Sequence, residues 1–275
     1  MNVAVLITCH NRCEKTLRCL HALVEAASEV KGKSASISVF LVDDGSTDGT
    51  SESVLAWYRG LPPHSTSAVS IRLIAGTGDL FWTKGMALAW HEALKSEEAI
   101  RSTTPTFNYD YFLWLNDDVE LYSNALRALC SAEADDATVL VGKVESSANS
   151  AVKTYGVIGK WFNGNFVLIP RKVSDVVGTI SDEYTHAKAD YDYAERVRRA
   201  GFKIAETDYF VGVCRNDFDE KYRSMPFVKR LILLWCPGYW NLHDLWLFQT
   251  KYYGGFRALL CCAKLIAIAL RGVRQ

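Results

Sequence analysis

Four short apolar runs, each followed by polar residues and then by a helical pattern, constrain the fold of this chain most strongly. The runs lie at 3–8, 37–42, 71–75 and 111–115. Continuous runs of aliphatic and β-branched residues are typical of strands that are covered on both faces. Alternation with helices predicts a doubly wound sheet, whose ligands bind beyond the carboxyl ends of the strands. All four polar clusters follow strand ends, so we expect them to converge on one crevice.

The pattern becomes mixed after residue 139. Short strands are predicted at 139–144, 166–169 and near 203–205, and a helix is predicted over 192–200, ending at Gly201. The predicted fold class is therefore α/β, with a doubly wound mixed sheet, flanking helices and a helical C-terminal extension.

Charge and cysteine content exclude several classes of function. Lys plus Arg number 31 and Asp plus Glu number 31, so the chain has no basic field of the kind that binds nucleic acid. The 8 cysteines show no zinc-ligand spacing and are interpreted as reduced core thiols. The amino terminus has no signal-peptide pattern, which predicts a cytoplasmic protein.

The C-terminal segment differs in charge from the rest of the chain. From Lys221 onward there are nine Lys or Arg residues against one acid, Asp244. One hypothesis is that this aromatic, basic segment contacts an anionic membrane surface, because each nearby cation contributes about 1 kcal/mol. The alternative is that its helices only cover the protein's own core. The apolar stretch 256–270 is too short and too charged to span a bilayer.

Four motifs carry a resemblance to a known family. They are the run 5–12, the Asp-rich segment 42–48, the Leu-Asn-Asp-Asp sequence at 115–118 and the segment 190–201. Together they resemble the family 2 glycosyltransferases of the GT-A fold, over roughly residues 1–215. The segments 78–86 and 114–119 are most similar to rhamnosyltransferase-type members.

The resemblance implies a division of the chain. It places a GT-A glycosyltransferase domain at 1–220, with a nucleotide-binding half at 1–120 and an acceptor half at 121–220. The segment 221–275 is then the basic, aromatic extension.

The resemblance also implies a donor site. Asp44 corresponds to the Asp that hydrogen-bonds the nucleotide base or ribose in the family, although Ser46, Thr47 or Asp48 also suits a turn with a helix cap. The other nucleotide-sugar candidates lie at the ends of the first, third and fourth predicted strands. They are Thr8, Asn11, Arg12, Lys84, Asn116 and Asp117. Arg12 suits a diphosphate, but it also suits a helix cap or a salt bridge.

A metal site is implied at the end of the fourth predicted strand. The segment 116–118 occupies the place of the family's D-x-D motif, which makes Asp118 the expected ligand of a divalent cation. Oxygen ligands favour Mg or Mn. Asn116 departs from the usual first Asp and adds no charge.

Asp190 is implied as the catalytic base, because it lies six residues before Arg196 as in the family's Glu-Asp motif. Ala189 stands where the family often has Glu, and a helix cap is the structural alternative for Asp190. The acceptor-side candidates are Asp79, Trp82, Asn163, Asn165 and His186.

These expectations combine into one reaction. A hydroxyl of a glycan or lipid-linked acceptor, deprotonated by Asp190, attacks the anomeric carbon of a UDP- or dTDP-sugar with inversion, in surface polysaccharide assembly. The transferred group is a hexose or deoxyhexose, with rhamnose suggested by the closer resemblance. A retaining enzyme and a catalytically silent scaffold that binds sugar nucleotide or glycan are the alternatives.

Overall fold

The computed structural model describes residues 1–29, 35–66, 69–130, 135–146, 154–215, 221–222, 224–237 and 241–271. Most strands in these ranges belong to one large sheet. In chain order the strands are β1 (Asn2–Cys9), β2 (Ser36–Asp43), β3 (Val69–Ala75), β4 (Tyr111–Leu115), β5 (Val119–Leu121), β6 (Thr138–Ser146), β7 (Thr154–Tyr155), β8 (Val157–Ile158), β9 (Trp161–Phe162), β10 (Phe166–Pro170) and β11 (Lys203–Cys214).

Helices connect and flank these strands. They are α1 (Cys13–Glu29), α2 (Thr50–Arg59), α3 (Pro63–Thr66), α4 (Phe81–Arg101), α5 (Arg171–Val177), α6 (Ala189–Arg199), α7 (Phe227–Leu233), α8 (Leu242–Tyr253) and α9 (Gly255–Arg271). No helix within the described ranges is both long and apolar enough to cross a membrane.

The sheet is mixed, as predicted. Its order is β3-β2-β1-β4-β10-β6-β11-β5, and β7 pairs with β6. The strands β3, β2, β1 and β4 run parallel, whereas β10 is antiparallel to both β4 and β6. The parallel part therefore brings the carboxyl ends of the first four strands to one edge, where the polar clusters follow.

Side chains of β1 alternate between two cores because successive residues of a strand face opposite sides of the sheet. Val3, Val5 and Ile7 belong to the core that α1 covers. Ala4 and Leu6 belong to the core that α4 covers. Both faces of β1 are buried, which explains the unbroken apolar run of its sequence.

The C-terminal helix α8 is part of the second core. Phe248 is fully buried there, in contact with the rings of Trp161 and Tyr191. Helices α7 and α9 pack together beside it through a smaller cluster that includes Leu234 and Ala269. Part of the segment that the sequence suggests as an extension, helix α8, therefore packs in the main core.

One helix begins earlier than the sequence predicts. We expected a helix over 192–200, but α6 begins at Ala189 and is preceded by Lys188, whose φ of 72° is left-handed. Asp190 therefore lies in the first turn of α6, and its place one residue inside the helix is not that of a cap.

Candidate active site at the strand ends

The loops after β1 and β2 are fixed to each other by side-chain hydrogen bonds. The amide of Asn11 donates to Ser46 Oγ at 2.9 Å, and the amide of Thr47 donates to Asn11 Oδ1 at 2.8 Å. Asp48 Oδ2 accepts from the amide of Cys13 at 3.0 Å, at the start of α1. Asn11, which the sequence predicts to bind the nucleotide, thus connects the two loops by hydrogen bonds.

Asp44 fixes the third loop. Its carboxylate accepts three hydrogen bonds from backbone amides between β3 and α4: Gly78 at 2.7 Å, Leu80 at 2.9 Å and Phe81 at 3.0 Å. Asp44 is buried, yet it lines the cavity described below. These amides already occupy much of the accepting capacity of the Asp44 carboxylate. Its contact with a base or ribose stays a prediction.

Two glycines of the third segment allow close packing. A Cβ on Gly76 would lie 2.8 Å from Asp44 Oδ1, and a Cβ on Gly85 would lie 2.2 Å from Thr8 Oγ1. Both contacts are shorter than carbon atoms tolerate. The glycines therefore let the β3–α4 loop and the first turns of α4 approach the ends of β1 and β2.

Arg12 bridges the acidic pair after β4. Its Nη1 lies 2.9 Å from Asp117 Oδ1 and 3.2 Å from Asp118 Oδ2. Both carboxylates are buried, whereas the Arg12 side chain is 43% exposed. Burial raises the pKa of Asp117, and the guanidinium opposes that rise; the Asp117 carboxylate in turn raises the pKa of Arg12. One guanidinium thus contacts both buried carboxylates.

Asn116 joins the donor-side and acceptor-side candidates. Trp82 Nε1 donates to Asn116 Oδ1 at 2.8 Å, and Asn116 Nδ2 donates to Asn165 Oδ1 at 2.6 Å. Asn163 Oδ1 in turn accepts from the amide of Asn165 at 3.0 Å. This chain of amides connects the end of β4 with α4 and with the loop before β10.

Asp190 lies close to Gly164, outside the residues that line the cavity described below. Its carboxylate accepts from the amides of Gly164, at 3.3 Å, and Tyr191, at 2.9 Å. A Cβ on Gly164 would lie 2.7 Å from the Trp82 ring. Burial raises the pKa of Asp190 to about 6, and the nearby Lys188 opposes this rise. A carboxylate with a pKa near neutrality is suited to general-base chemistry.

The neighbouring Asp192 forms buried ion pairs that stabilise the fold. It is fully buried, and Arg196 and Lys251 form ion pairs with it at 2.9 and 3.0 Å. Burial works against its ionisation, but a hydrogen bond from Tyr252 and the charge of Arg196 lower its pKa. The two aspartates of one helix turn therefore have opposite pKa shifts.

Asp244 of α8 holds the loop before Asp190, a role that the sequence does not predict. Its buried carboxylate accepts from the amides of Thr185 at 3.0 Å and of His186 and Ala187 at 2.9 Å each. It also accepts from Asn241 Nδ2 at 3.0 Å, while its own amide is capped by Asn241. The only available signal was that Asp244 is the single acid in a basic segment.

The hydrogen bonds from the loop at 185–187 to Asp244 position His186 at the cavity. Its Nδ1 is buried without a hydrogen-bond partner among the described residues. Burial and the nearby Arg12 lower its pKa to about 4, so the ring is neutral at physiological pH. A neutral imidazole offers one donor and one acceptor to a ligand.

The cavity at the strand ends has a volume of about 290 Å³. Its lining includes residues from every polar cluster of the parallel strands, together with the α7–α8 connection. The lining residues are Thr8, Cys9, His10, Arg12, Asp44, Gly78, Phe81, Trp82, Asp117, His186 and Pro237. A larger cavity, of about 840 Å³, lies along β6 and β11 and contains none of the predicted site residues.

Eight predicted site residues do not line this cavity: Asn11, Asp79, Lys84, Asn116, Asp118, Asn163, Asn165 and Asp190. Lys84 is exposed on α4, and Asp79 is exposed in the preceding loop, where its carboxylate accepts from Thr77. The backbone at the site is strained. The non-glycine residues with positive φ in the described ranges are Asn11, Phe81 and Lys188. Asn11 and Phe81 directly precede Arg12 and Trp82, and Lys188 lies two residues before Asp190. Such strain is frequent at functional sites.

The donor set at the end of β4 fits a divalent cation that is shared with a ligand. Among the described residues there is no group of three or more acidic, His or Cys side chains that could hold a metal alone. Two adjacent carboxylates, Asp117 and Asp118, are nevertheless sufficient for Mg or Mn when phosphate oxygens and waters complete the shell. Cys214 Sγ lies 3.5 Å from Asp118 Oδ1 and is no competitor, since burial raises the pKa of its thiol.

Comparison with known proteins agrees with this architecture. The family model described as glycosyl transferase family 2 matches residues 4–67, which contain β1, α1, β2 and α2. No curated protein matches the chain in sequence.

Solved structures extend the likeness to the whole chain. S. aureus TarS 1-349 aligns with 98% of this chain and 81% of its own, at 13% identity and a TM-score of 0.55. A complex of the same protein with UDP-GlcNAc gives a TM-score of 0.56 at 12% identity, covering 97% of this chain and 82% of that one.

The mannosyltransferase PcManGT from Pyrobaculum calidifontis, in complex with GDP-Man and Mn²⁺, covers 99% of this chain and 76% of its own. Its identity is 13% and its TM-score 0.53. The predicted fold class is confirmed: the chain has a GT-A fold.

Proposed function

We propose that the chain is a nucleotide-sugar-dependent glycosyltransferase whose donor binds in the strand-end cavity. The observation that carries this proposal is the convergence of Arg12, Asp44 and Asp117 on one cavity, with a carboxylate of raised pKa, Asp190, close to Gly164 and Trp82. The family-model match over residues 4–67 and the glycosyltransferase fold support it.

The donor is expected to bind with its diphosphate near Arg12. Arg12 and the neutral His186 both line the cavity, and the Arg12 side chain is 43% exposed. A guanidinium is the natural partner of phosphate oxygens. Thr8 and Asp44 would then lie on the nucleoside side, and Asn11 would keep the two flanking loops in place.

Asp118, with Asp117, would hold Mg or Mn together with the donor diphosphate. The ion would neutralise the charge of the departing nucleoside diphosphate. Arg12 must then release at least one carboxylate and turn to the phosphate. Its exposed side chain permits this movement, since the two carboxylates are the buried members of the ion pairs.

The chemical step follows from the position of Asp190. Its ionised carboxylate would take the proton of an acceptor hydroxyl, which then attacks the anomeric carbon from the side opposite the leaving group. The configuration of the anomeric carbon would invert. Trp82, Asn163 and Asn165, which are joined through Asn116, would form the acceptor side.

The proposed substrate class rests on the sequence resemblance. The donor would be a UDP- or dTDP-linked hexose or deoxyhexose, such as rhamnose, and the acceptor a glycan or lipid-linked glycan in surface polysaccharide assembly on the cytoplasmic side. The division into a nucleotide-binding half at 1–120, an acceptor half at 121–220 and an extension at 221–275 is part of the same proposal.

The test is a panel of UDP-, dTDP- and GDP-sugars, with nucleoside diphosphate release measured with Mg²⁺, with Mn²⁺ and with a chelator. The matching donor should also raise thermal stability, by about 2.7 kcal/mol at a hundred times its dissociation constant. Donor binding without release in the presence of acceptor glycans would favour the silent scaffold. Neither binding nor release with any donor would overturn the proposal.

A further inference from the structure

Helix α9 has one face that is packed and one that is not. Ala258 and Ala269 are buried, and Cys262 and Leu265 pack against the cluster that contains Ala269. These positions recur at helical spacing, so they define the inner face of α9. The rest of the helix surface faces outward.

The outward face of α9 is apolar. Phe256 is 77% exposed, and further large apolar side chains are exposed along the same helix: Leu259, Leu260, Ile266 and Leu270. Single exposed apolar residues are ordinary, but a continuous patch marks an interaction surface.

Helix α7 extends this patch. Arg230 ties the two helices together, since its Nε donates to the carbonyl of Ala269 at 2.9 Å. Trp235, which follows α7, is 78% exposed. The exposed apolar side chains of α7 itself are Phe227, Val228 and Ile232. We call the exposed apolar side chains of α7 and α9, together with Trp235, the apolar surface.

Cations border this surface, and acids are absent from both helices. Arg257, Lys264 and Arg271 recur every seven residues, so they lie along one side of α9. Lys229 is exposed on α7. Neither the sequence of α7 nor that of α9 contains Asp or Glu. The charge of the surface is therefore purely positive.

Two other cations of the same segment have partners within the protein. Arg230 is buried between α7 and α9, and Lys251 pairs with Glu183 and Asp192. Lys229, Arg257, Lys264 and Arg271 are exposed on the same two helices as the exposed apolar side chains.

We propose that the apolar surface docks in the plane of an anionic lipid bilayer. An apolar helix face flanked by cations, without acids, matches the acyl boundary and negative headgroups of such a membrane. Helix α9 has 17 residues, fewer than the roughly 20 that a spanning helix needs, which agrees with a helix lying on the surface.

Docking would place the bilayer beside the strand-end cavity. Pro237 lines that cavity, and Trp235 of the apolar surface lies two residues before it. An acceptor carried in the bilayer would therefore reach the site from the side of the α7–α8 connection. This consequence, unlike docking itself, rests on the proposed function.

The experiment is cosedimentation of the full chain with vesicles of pure phosphatidylcholine or of phosphatidylcholine and phosphatidylglycerol in equal parts. The protein should bind the mixed vesicles and release them at high salt. Phe256→Asn with Leu260→Asn should weaken binding about tenfold or more. Lys264→Gln with Arg271→Gln should weaken it about fivefold per cation.

Matched controls come from exposed residues elsewhere. Val176, exposed on α5, supplies the apolar control Val176→Asn, and Arg59, exposed on α2, supplies the charge control Arg59→Gln. Both controls should bind mixed vesicles as the unmodified chain does. Circular dichroism of every variant separates lost binding from lost folding.

Two results would overturn docking. One is binding of mixed vesicles that is absent or insensitive to both surface variants. The other is a dimer in sedimentation velocity that Phe256→Asn with Leu260→Asn dissociates, which would assign the surface to a second copy of the chain. Nucleoside diphosphate release from soluble donors is measured on the same samples, so failure of docking and failure of the proposed activity are distinguished.

Discussion

Two parts of the candidate site are held in place differently. We call the loops after β1, β2 and β3 the front, and the segment 185–190, which contains His186 and Asp190, the back. On the front, loops that directly follow β1, β2 and β3 hold one another through short side-chain to backbone contacts, such as Asp44 with the amide of Gly78. On the back, the loop at 185–187 is held by Asp244, a residue of the C-terminal helix α8.

Under the proposed function, the difference predicts that donor binding and the chemical step depend on different parts of the chain. The front depends on neighbouring strands of a rigid parallel sheet, and it offers cationic and acidic groups to a donor. The back, with His186 and Asp190, depends on one buried carboxylate that reaches it from far along the sequence. We therefore expect donor binding to resist changes in α8, and the chemical step to be sensitive to them.

The largest expected effect is that of Asp190→Asn. Amide and carboxylate are nearly isosteric, but only the carboxylate accepts the proton, so transfer should fall by about 10² to 10⁴. Donor affinity should be unchanged in a binding titration. The matched change Asp192→Asn should lower thermal stability more than the rate, because Asp192 pairs with Arg196 and Lys251. Near-native transfer by Asp190→Asn would remove Asp190 from the mechanism.

Asp118→Ala tests the front of the cavity. Loss of the carboxylate should lower turnover by about 10², the usual effect of removing one electrostatic contact from a reaction site. It should also abolish the metal dependence of donor binding. Asp136, which is exposed and lies just before β6, supplies the control Asp136→Ala. Full, metal-stimulated turnover in Asp118→Ala would contradict the assignment.

Asp244→Asn tests the back without touching the reacting groups. An amide accepts fewer of the hydrogen bonds from the 185–187 loop, and each amide left without a partner costs about 1 to 3 kcal/mol in stability. We expect kcat to fall about tenfold, with KM for the donor nearly constant, because only the loop before Asp190 is loosened. Asp182→Asn, an exposed change in the same loop region, should affect neither quantity. A rise in donor KM alone would show that Asp244 supports the front instead.

The smallest effect near neutrality is that of pH. In the proposed mechanism Asp190 works as a base in its ionised form, and burial raises its pKa to about 6. Transfer should therefore fall about tenfold per pH unit below that value and be level above it. The acid limb should be missing from the residual rate of Asp190→Asn. A flat profile in the unmodified enzyme between pH 5 and pH 7 would exclude this titration.

The same pKa shift predicts the sign of a stability effect. The folded-state pKa lies above the ordinary value of 3.8, so the contribution of Asp190 to stability is present below that value and is lost as the pH rises through about 6. Asp190→Asn should therefore be more stable than the unmodified chain above pH 6. Thermal melts at pH 4 and pH 8 measure this difference.

The sequence predicts the front of the molecule well. The fourth apolar run matches β4 at both ends, because a parallel strand buried on both faces produces an unbroken apolar run. The cavity follows from the same reasoning, since parallel strands bring their carboxyl ends together. A role such as that of Asp44 is harder to predict, because a strand-end carboxylate can bind a ligand, a loop or both.

The back could not be predicted in the same way. The tie from Asp244 to the amide of His186 joins positions 58 residues apart, and no local pattern encodes it. The early start of α6 depends on the left-handed backbone of Lys188, a conformation that a lysine adopts only when its surroundings impose it. Local propensity placed Asp190 before the helix, whereas the tertiary structure places it inside the first turn.

The most direct measurement is a crystal structure of the protein with the nucleoside diphosphate of its donor and Mn²⁺. We predict the nucleotide in the strand-end cavity, its diphosphate against Arg12, and Asp118 coordinated to the metal, with Arg12 released from at least one carboxylate. A nucleotide bound elsewhere, or Arg12 unmoved between Asp117 and Asp118 with a metal-free diphosphate, would contradict this account.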